Sequence, residues 1–149
     1  MIRTVAVVGI LLLGVGVVAA QQDIAVQQDK LMLAQAKIVY GLLLKTAKGE
    51  IPYKQESIDA ALAELEASVG KIATVFGPNP KEHVVDATYG SSQKIWQNKA
   101  DFESKIPPVA KTIAAAKGKI KDIATLKVAY SEINDSCNVC HETYRIKLK

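Results

Sequence analysis

The chain has 149 residues, of which 49% are hydrophobic and 23% charged, and its formal net charge is +4. This length and composition predict a single folded domain and exclude disordered and collagen-like chains. With two cysteines, one Trp and two Phe, the chain has too few thiols for a disulfide scaffold or a four-cysteine zinc site, and too few aromatic rings to favour nucleic-acid binding.

Residues 1–20 have the parts of a secretory signal peptide. Arg3 supplies a positive start, a long apolar run follows, and Val18 and Ala20 provide the small residues of a cleavage site. A transmembrane anchor needs about 20 apolar residues, whereas this run is shorter and is interrupted by glycines. We therefore predict a mature domain over 21–149 that is exported, to the periplasm in a Gram-negative bacterium, and not inserted in a membrane.

Apolar residues at helical spacing predict two helices in the first half of the mature chain, over 23–48 and 55–75. Gly49 ends the first, and the Gly-Pro-Asn-Pro run at 77–80 ends the second, because this backbone cannot stay helical. The predicted inward residues are Ile24, Leu31, Ile38 and Leu42 in the first helix and Ile58, Leu62, Leu65, Val69 and Ile72 in the second.

A third helix is predicted after a loop, with Ser91 or Ser92 as its cap and Gly118 as its end. The pair Pro107-Pro108 lies in its interior, where proline removes a hydrogen bond and clashes with the preceding turn. The third helix should therefore be kinked or split there. Its predicted inward residues are Ile95, Trp96, Phe102, Ile106, Val109 and Ile113.

A fourth helix is predicted over 123–147, with Asp122 as its cap. Its predicted inward residues are Ile123, Leu126, Tyr130, Ile133, Cys137, Cys140 and Tyr144. No run alternates as a strand would. Four amphipathic helices joined mostly by short loops predict an all-α antiparallel four-helix bundle, a fold that builds cofactor sites in its core.

Residues 137–141 read Cys-Asn-Val-Cys-His, the attachment signature of c-type haem. Cys137 and Cys140, three residues apart on one helix face, can each form a thioether to a haem vinyl group. His141 can then direct its imidazole to the iron. The motif predicts one covalent haem c per chain.

The motif has two other interpretations. A redox-active C-x-x-C favours a helix N-terminus after a strand, where the thiolate is stabilised, and here the motif lies near the end of the last helix. A zinc site needs four ligands, and the mature chain offers only Cys137, Cys140, His141 and a loop residue, His83. Covalent haem is therefore favoured over both.

A haem iron held by one histidine has a sixth position, which methionine, a second histidine, an exogenous ligand or nothing can fill. Met32 is the only methionine in residues 21–149. In an antiparallel bundle the start of the first helix lies level with the end of the fourth, so Met32 should lie at the height of His141. Methionine also fills gaps in cores, so the residues alone leave its role open.

The segment CNVCHETYR over 137–145 resembles the cytochrome c′ family. The resemblance covers the whole mature chain and implies a four-helix bundle with its haem near the C-terminal helix. Two features depart from the family: the proline pair in the third helix, and Lys54 where an acidic cap is expected before the second. Further matching segments are KGEIPY over 48–53, KIW over 94–96 and KGKIKD over 117–122.

Within this family, Lys30-Leu31-Met32 resembles the low-spin branch, cytochrome c-556, whose methionine in a K-L-M segment ligates the iron. The resemblance implies an electron carrier ligated by His141 and Met32 rather than an enzyme. High-spin members leave the sixth position open beneath an apolar residue and bind nitric oxide or carbon monoxide. In that alternative Leu33 would lie over the iron.

The resemblance also implies haem-pocket roles for Trp96, Phe102 and Arg145, although ordinary core or surface positions explain each equally well. Arg145 follows His141 by four residues and should share its helix face. Relatives often pair through their first two helices, which implies a possible homodimer. A basic end is also predicted, which consists of Lys117, Lys119, Lys121, Lys127, Lys147 and Lys149. It is either a solvated face or a surface that steers an acidic redox partner.

Overall fold

A computed structural model describes residues 12–149, with side chains from Asp23 onward. Residues 1–11 of the predicted signal peptide lie outside the described part, and the backbone over 12–22 is helical. None of the described helices combines the length and the apolar character that crossing a bilayer requires. The signal peptide and its cleavage after Ala20 stay predictions.

The first rod of the bundle consists of three consecutive helical segments. These are α1 (Leu12–Ala36), a π-helical segment (Lys37–Leu44) and α2 (Lys45–Ala47). The rod ends where the sequence predicted, because Gly49 has a φ of +78°, a left-handed conformation that glycine adopts without steric cost.

The π-helical segment changes which residues of the first rod face the core. A π-helix has i→i+5 hydrogen bonds and therefore more residues per turn than an α-helix, so a stripe at α-helical spacing drifts around the rod. Ile38 is buried as predicted, whereas Leu42, within the π-helical segment, is only partly buried and Leu43 is buried instead. Ile24 and Leu31, which precede this segment in α1, are also only partly buried. The described residues that are buried in this rod are Ala25, Gln28, Ile38, Val39, Leu43, Thr46 and Ala47.

The second rod consists of α3 (Gln55–Val69) and the short α4 (Ile72–Val75). Four of its five predicted inward residues are buried, and Ile72 is partly buried. Lys54 is the N-cap residue and its side chain makes no capping hydrogen bond, so the predicted departure from an acidic cap leaves this helix start uncapped.

The third rod is split into α5 (Lys94–Gln97), α6 (Lys99–Ser104) and α7 (Ile106–Ala116). The prolines at 107–108 lie in the first turn of α7, where a backbone N–H has no helical partner to lose. The third helix was predicted to be kinked or split at the prolines, and the structure shows a split. The additional break at Asn98, with φ −134° and ψ 56°, was not predicted.

The fourth rod is α8 (Ile123–Tyr144), capped as predicted. Asp122 Oδ1 accepts a hydrogen bond from the Thr125 backbone N–H at 2.8 Å, and Thr125 Oγ1 accepts one from the Asp122 N–H at 3.1 Å. This reciprocal capping box satisfies amide groups that would otherwise be unpaired at the helix start. The prediction that Ile123 faces inward is wrong, since its side chain is exposed.

The fourth helix ends three residues earlier than predicted, and the chain continues as a strand. β2 (Arg145–Lys147) pairs antiparallel with β1 (Tyr89–Ser91), with Gly90 opposite Ile146. The sequence predicted no strand, because three residues are too few to show a period of two.

The four rods pack as an antiparallel bundle, which confirms the predicted fold. α3 packs on α7, α7 on α8, and α8 on the π-helical segment and α2. The middle of the bundle holds the main apolar core, and a smaller cluster lies at the end that carries the two-stranded sheet. That smaller cluster consists of Phe76, Ile95, Phe102 and Tyr144.

The predicted basic end is two separate groups of lysines. Lys117, Lys119 and Lys121 lie at the connection from α7 to α8, whereas Lys147 and Lys149 lie beyond the other end of α8. α8 has 22 residues, so the two groups are about 33 Å apart along the bundle at 1.5 Å per residue. The prediction of a single basic surface is wrong, because the lysines that follow α7 and the lysines in and after β2 lie at opposite ends of the bundle.

Replacing Asp122 with alanine should lower the free energy of unfolding by about 1 kcal/mol, the usual effect of losing an N-cap side chain. Asp135→Ala is a matched control, because it removes the same charge from an exposed position inside α8. Thermal unfolding followed by circular dichroism should show a decrease for Asp122→Ala and little change for the control. Equal shifts would mean that charge, and not capping, is what Asp122 contributes.

Candidate haem site

A cavity of 760 Å3 lies among the four rods at the end of the bundle that carries the sheet. This volume is within the range of roughly 300–1,000 Å3 that small-molecule and cofactor sites occupy. Cys137, Cys140 and His141 line it from α8, and Met32 lines it from α1. The structure therefore brings the four residues singled out in the sequence to one cavity.

The two cysteines are partly buried and form no disulfide. Burial raises the pKa of the Cys137 thiol, and the neighbouring Cys140 raises it further. Burial also raises the pKa of Cys140. Reactive C-x-x-C thiols have lowered pKa values and lie at helix N-termini, so this pair has neither the electrostatics nor the position of a redox-active dithiol.

His141 has the protonation state of a metal ligand. Burial, and then the nearby positive charge of Arg145, lowers the pKa of its imidazole to about 4, so the ring is neutral at neutral pH, as metal ligation requires. Its Nδ1 is buried and has no hydrogen-bond partner among the described residues, although buried polar atoms are normally paired. Two thiols and a neutral imidazole beside a large cavity fit a haem.

A hydrogen bond between helices supports this wall of the cavity. The Tyr144 side chain is 4% exposed, and its hydroxyl donates to Asp101 on α6. This bond, together with burial, raises the pKa of Tyr144 to about 12. Lys105 lies 3.5 Å from the other carboxylate oxygen of Asp101. The sequence predicted Tyr144 as a core residue but gave no signal for its partner on another helix.

Met32 and Leu33, the two candidates over the iron, differ in exposure. Met32 is partly buried and packs against the smaller apolar cluster that also contains Tyr144 of α8. The Leu33 side chain is 52% exposed. Both residues line the cavity, but only Met32 is directed into the packed end of the bundle.

The two predicted aromatic pocket residues have different positions. Phe102 is buried and lines the cavity, with its ring centroid 5.8 Å from that of Phe76 and 5.2 Å from that of Tyr144. Trp96 packs against the same cluster, and its indole N–H donates to the Phe76 carbonyl at 3.0 Å. Phe102 is therefore part of the cavity wall, whereas Trp96 supports that wall from behind.

Arg145 lines the cavity, but the prediction that it shares a helix face with His141 is wrong. α8 ends at Tyr144, and Arg145 is the first residue of β2. Its guanidinium carbon lies 4.6 Å from the centroid of the Tyr89 ring, a cation–π contact across the small sheet. Arg145 therefore belongs to the small sheet and not to the helix, although it lines the same cavity as His141.

The connection between the second and third rods forms a cavity wall, which no sequence pattern predicted. Most of residues 80–91 line the cavity, including His83. The His83 ring packs on Gly90 so closely that a Cβ there would lie 2.6 Å from its Nδ1. The described residues contain no group of three or more His, Cys, Asp or Glu able to hold a metal, which removes the support for a zinc site with His83.

Comparison with known proteins places this geometry among haem proteins. The family model described as Cytochrome C′ matches residues 24–145. The chain is 61% identical to cytochrome c-555 of Bradyrhizobium diazoefficiens and 41% identical to cytochrome c-556 of Rhodopseudomonas palustris, in each case over 99% of both chains. The cytochrome c′ structure from Rhodopseudomonas palustris is similar with a TM-score of 0.72 at 26% identity, over 85% of this chain and 98% of that one.

Proposed function

The chain belongs to the cytochrome c′ family and carries covalent haem c, and we propose that it is a single-electron carrier with His141 and Met32 as the two axial ligands of the iron. Haem, when bound, supplies the ferrous/ferric couple that accepts and releases one electron. The protein's own contribution is to hold, orient and shield that group.

The observation that carries this proposal is that Met32 and His141 line the same cavity from different helices. His141 offers a neutral imidazole, and Met32 offers a thioether from the facing rod. Cys137 and Cys140, on the same helix as His141, would hold the group covalently. Ligation by methionine and histidine raises the reduction potential relative to other ligand sets, which suits electron transfer.

The packing around Met32 favours a closed iron over a gas-binding one. Met32 is partly buried against the smaller apolar cluster, whereas Leu33, the residue expected over an open iron, is half exposed. Phe102 and Tyr144 fill the surrounding wall with buried rings. With both axial positions taken by protein side chains, the iron has no coordination site for a substrate, and we propose no catalytic activity.

We further propose a periplasmic location and redox partner proteins, from the predicted signal peptide over 1–20 and the family. A homodimer through the first two rods is compatible with the groove between them, which is lined by Leu33, Ala34, Ile38 and Ala61 among others. Lys147 pairs with Tyr89, which lines the cavity, whereas Lys117 and its neighbours lie at the opposite end of α8. We therefore expect any electrostatic steering of a partner to depend on Lys147 rather than on Lys117.

The spectrum of the reduced holoprotein tests the axial ligation. A six-coordinate low-spin iron should give sharp, split bands that change little on adding carbon monoxide. An open sixth position would give a broad high-spin spectrum that shifts at once with carbon monoxide, and that result would replace the proposed carrier with a nitric oxide- or carbon monoxide-binding cytochrome c′.

A further inference from the structure

Residues 77–91, which we term the strap, connect the second and third rods and cover one side of the cavity. The strap has little regular structure apart from β1, and two of its residues, Lys81 and Asp86, have positive φ values of 61° and 64°. A segment of this kind is stabilised by the contacts at its edges rather than by its own hydrogen bonds. Its edges are attached to two helices, α8 and α1.

The C-terminal edge of the strap and the next residue, Ser92, are attached to the end of α8, beginning three residues after His141. β1 pairs with β2, the Ser92 N–H donates to the Tyr144 carbonyl at 2.9 Å, and the Leu148 N–H donates to the Thr88 carbonyl at 2.9 Å. The position of this edge is therefore fixed relative to the helix that carries the proposed histidine ligand.

Gln28 of α1 bonds to both ends of the strap, at Pro78 and Ser91, and also to Val75 of α4. Its Nε2 donates to the carbonyls of Val75 at 3.3 Å and Pro78 at 3.0 Å, and its Oε1 accepts from the Ser91 hydroxyl at 3.3 Å. The Gln28 side chain is 3% exposed, so both donors and the acceptor are used without water. A buried polar group with all its hydrogen bonds made holds its neighbours in one geometry.

Gln28 precedes Met32 by four residues and therefore lies on the same face of α1, one turn away. Both residues line the cavity. Through Gln28, the strap and then β2, the turn of α1 that carries Met32 is connected to the end of α8 that carries His141. The hydrogen bonds thus couple the two helices that supply the proposed axial ligands.

We infer that Gln28 is a positioning residue that keeps Met32 within bonding distance of the iron, an inference that rests on the proposed ligation by Met32. Without the Gln28 amide, the turns of α1 that carry Gln28 and Met32 can separate from the strap. The thioether, a weak ligand on a flexible side chain, is then the bond that should open. Gln28 itself does not contact the iron in this assignment.

The test is Gln28→Leu in the full-length holoprotein, with Gln55→Leu as the matched control. Gln55 is also a partly buried, hydrogen-bonded glutamine, but it lies at the start of α3, outside the cavity lining, and bonds to Tyr53 and Asp59 and not to the strap. We expect Gln28→Leu to increase the rate of carbon monoxide binding to the ferrous protein by roughly tenfold or more, because it removes three hydrogen bonds and each net hydrogen bond shifts an equilibrium by several-fold. Gln55→Leu should leave this rate unchanged.

Two further measurements separate positioning from general loosening. Hydrogen exchange should become faster for strap amides in Gln28→Leu but not in Gln55→Leu. In a Met32→Ala background, Gln28→Leu should have no further effect on carbon monoxide binding, because there is no thioether left to release.

Ser91→Ala removes only one of the three hydrogen bonds and should give a smaller effect in the same direction, which keeps the test usable if Gln28→Leu folds poorly.

The inference is overturned if strap exchange rises while carbon monoxide binding stays at the wild-type rate, or if Gln28→Leu accelerates binding equally with and without Met32. Failure of the proposed function has a different signature, since Met32→Ala alone would then leave the spectrum and carbon monoxide binding unchanged.

Discussion

The Cys137→Ala, Cys140→Ala double variant should release its haem into acidified organic solvent and unfold at a far lower temperature than the wild type. Without the two thioether bonds, only the axial ligands and apolar packing would retain the group. At about 24 cal/mol per Å3 of empty volume, a cavity of 760 Å3 would cost more than the roughly 5–15 kcal/mol by which a domain is stable. The bundle without haem must therefore collapse, take up water or become partly molten.

Val139→Ala is the control for this double variant, because Val139 lies between the two cysteines and its side chain is 55% exposed. The control should retain haem through acid extraction and keep its melting temperature. The comparison uses extraction, near-UV circular dichroism and thermal unfolding. A double variant that keeps its haem in acid, or that unfolds at the wild-type temperature without haem, would contradict attachment through these thiols and the structural role of the group.

The parts of the fold that could be predicted are those encoded by short-range pattern. The stripe through Ile58, Leu62 and Val69 repeats at helical spacing, and all three residues are buried. The Asp122 cap depends on a residue three positions away. The breaks in the first rod could not be predicted from short-range pattern, because the sequence over 37–44 resembles that of a continuous α-helix. The π-helical geometry of this segment then shifts the buried face.

The candidate site also has a part that can be predicted from local sequence and a part that cannot. The haem motif is five consecutive residues, so its chemistry can be read locally. The contacts that shape the cavity join distant parts of the chain: Gln28 bonds to residues 47, 50 and 63 positions away, and Tyr144 bonds to Asp101 across 43 positions. Such pairings depend on the packing of whole helices, and no spacing in the sequence reports them.

Replacing Met32 with alanine should convert the iron from low-spin to high-spin and open it to carbon monoxide and nitric oxide. The substitution removes a thioether ligand and leaves space beside the smaller apolar cluster, against which Met32 packs. The reduction potential should fall, because a soft thioether favours ferrous iron and its loss favours the ferric state. The optical spectrum, carbon monoxide binding and redox titration measure the three effects independently.

Leu33→Ala is the matched control for Met32→Ala, since it shortens the next side chain on α1, which also lines the cavity but is half exposed. If Met32 ligates the iron, Leu33→Ala should keep the low-spin spectrum and a potential close to that of the wild type. If instead Leu33 shields an open iron, the wild type itself should be high-spin and Leu33→Ala should speed gas binding, while Met32→Ala changes only packing. The spectra and gas-binding rates of the two variants therefore distinguish the two axial arrangements. A Met32→Ala protein with unaltered spectrum and potential would remove the main support for a methionine-ligated electron carrier.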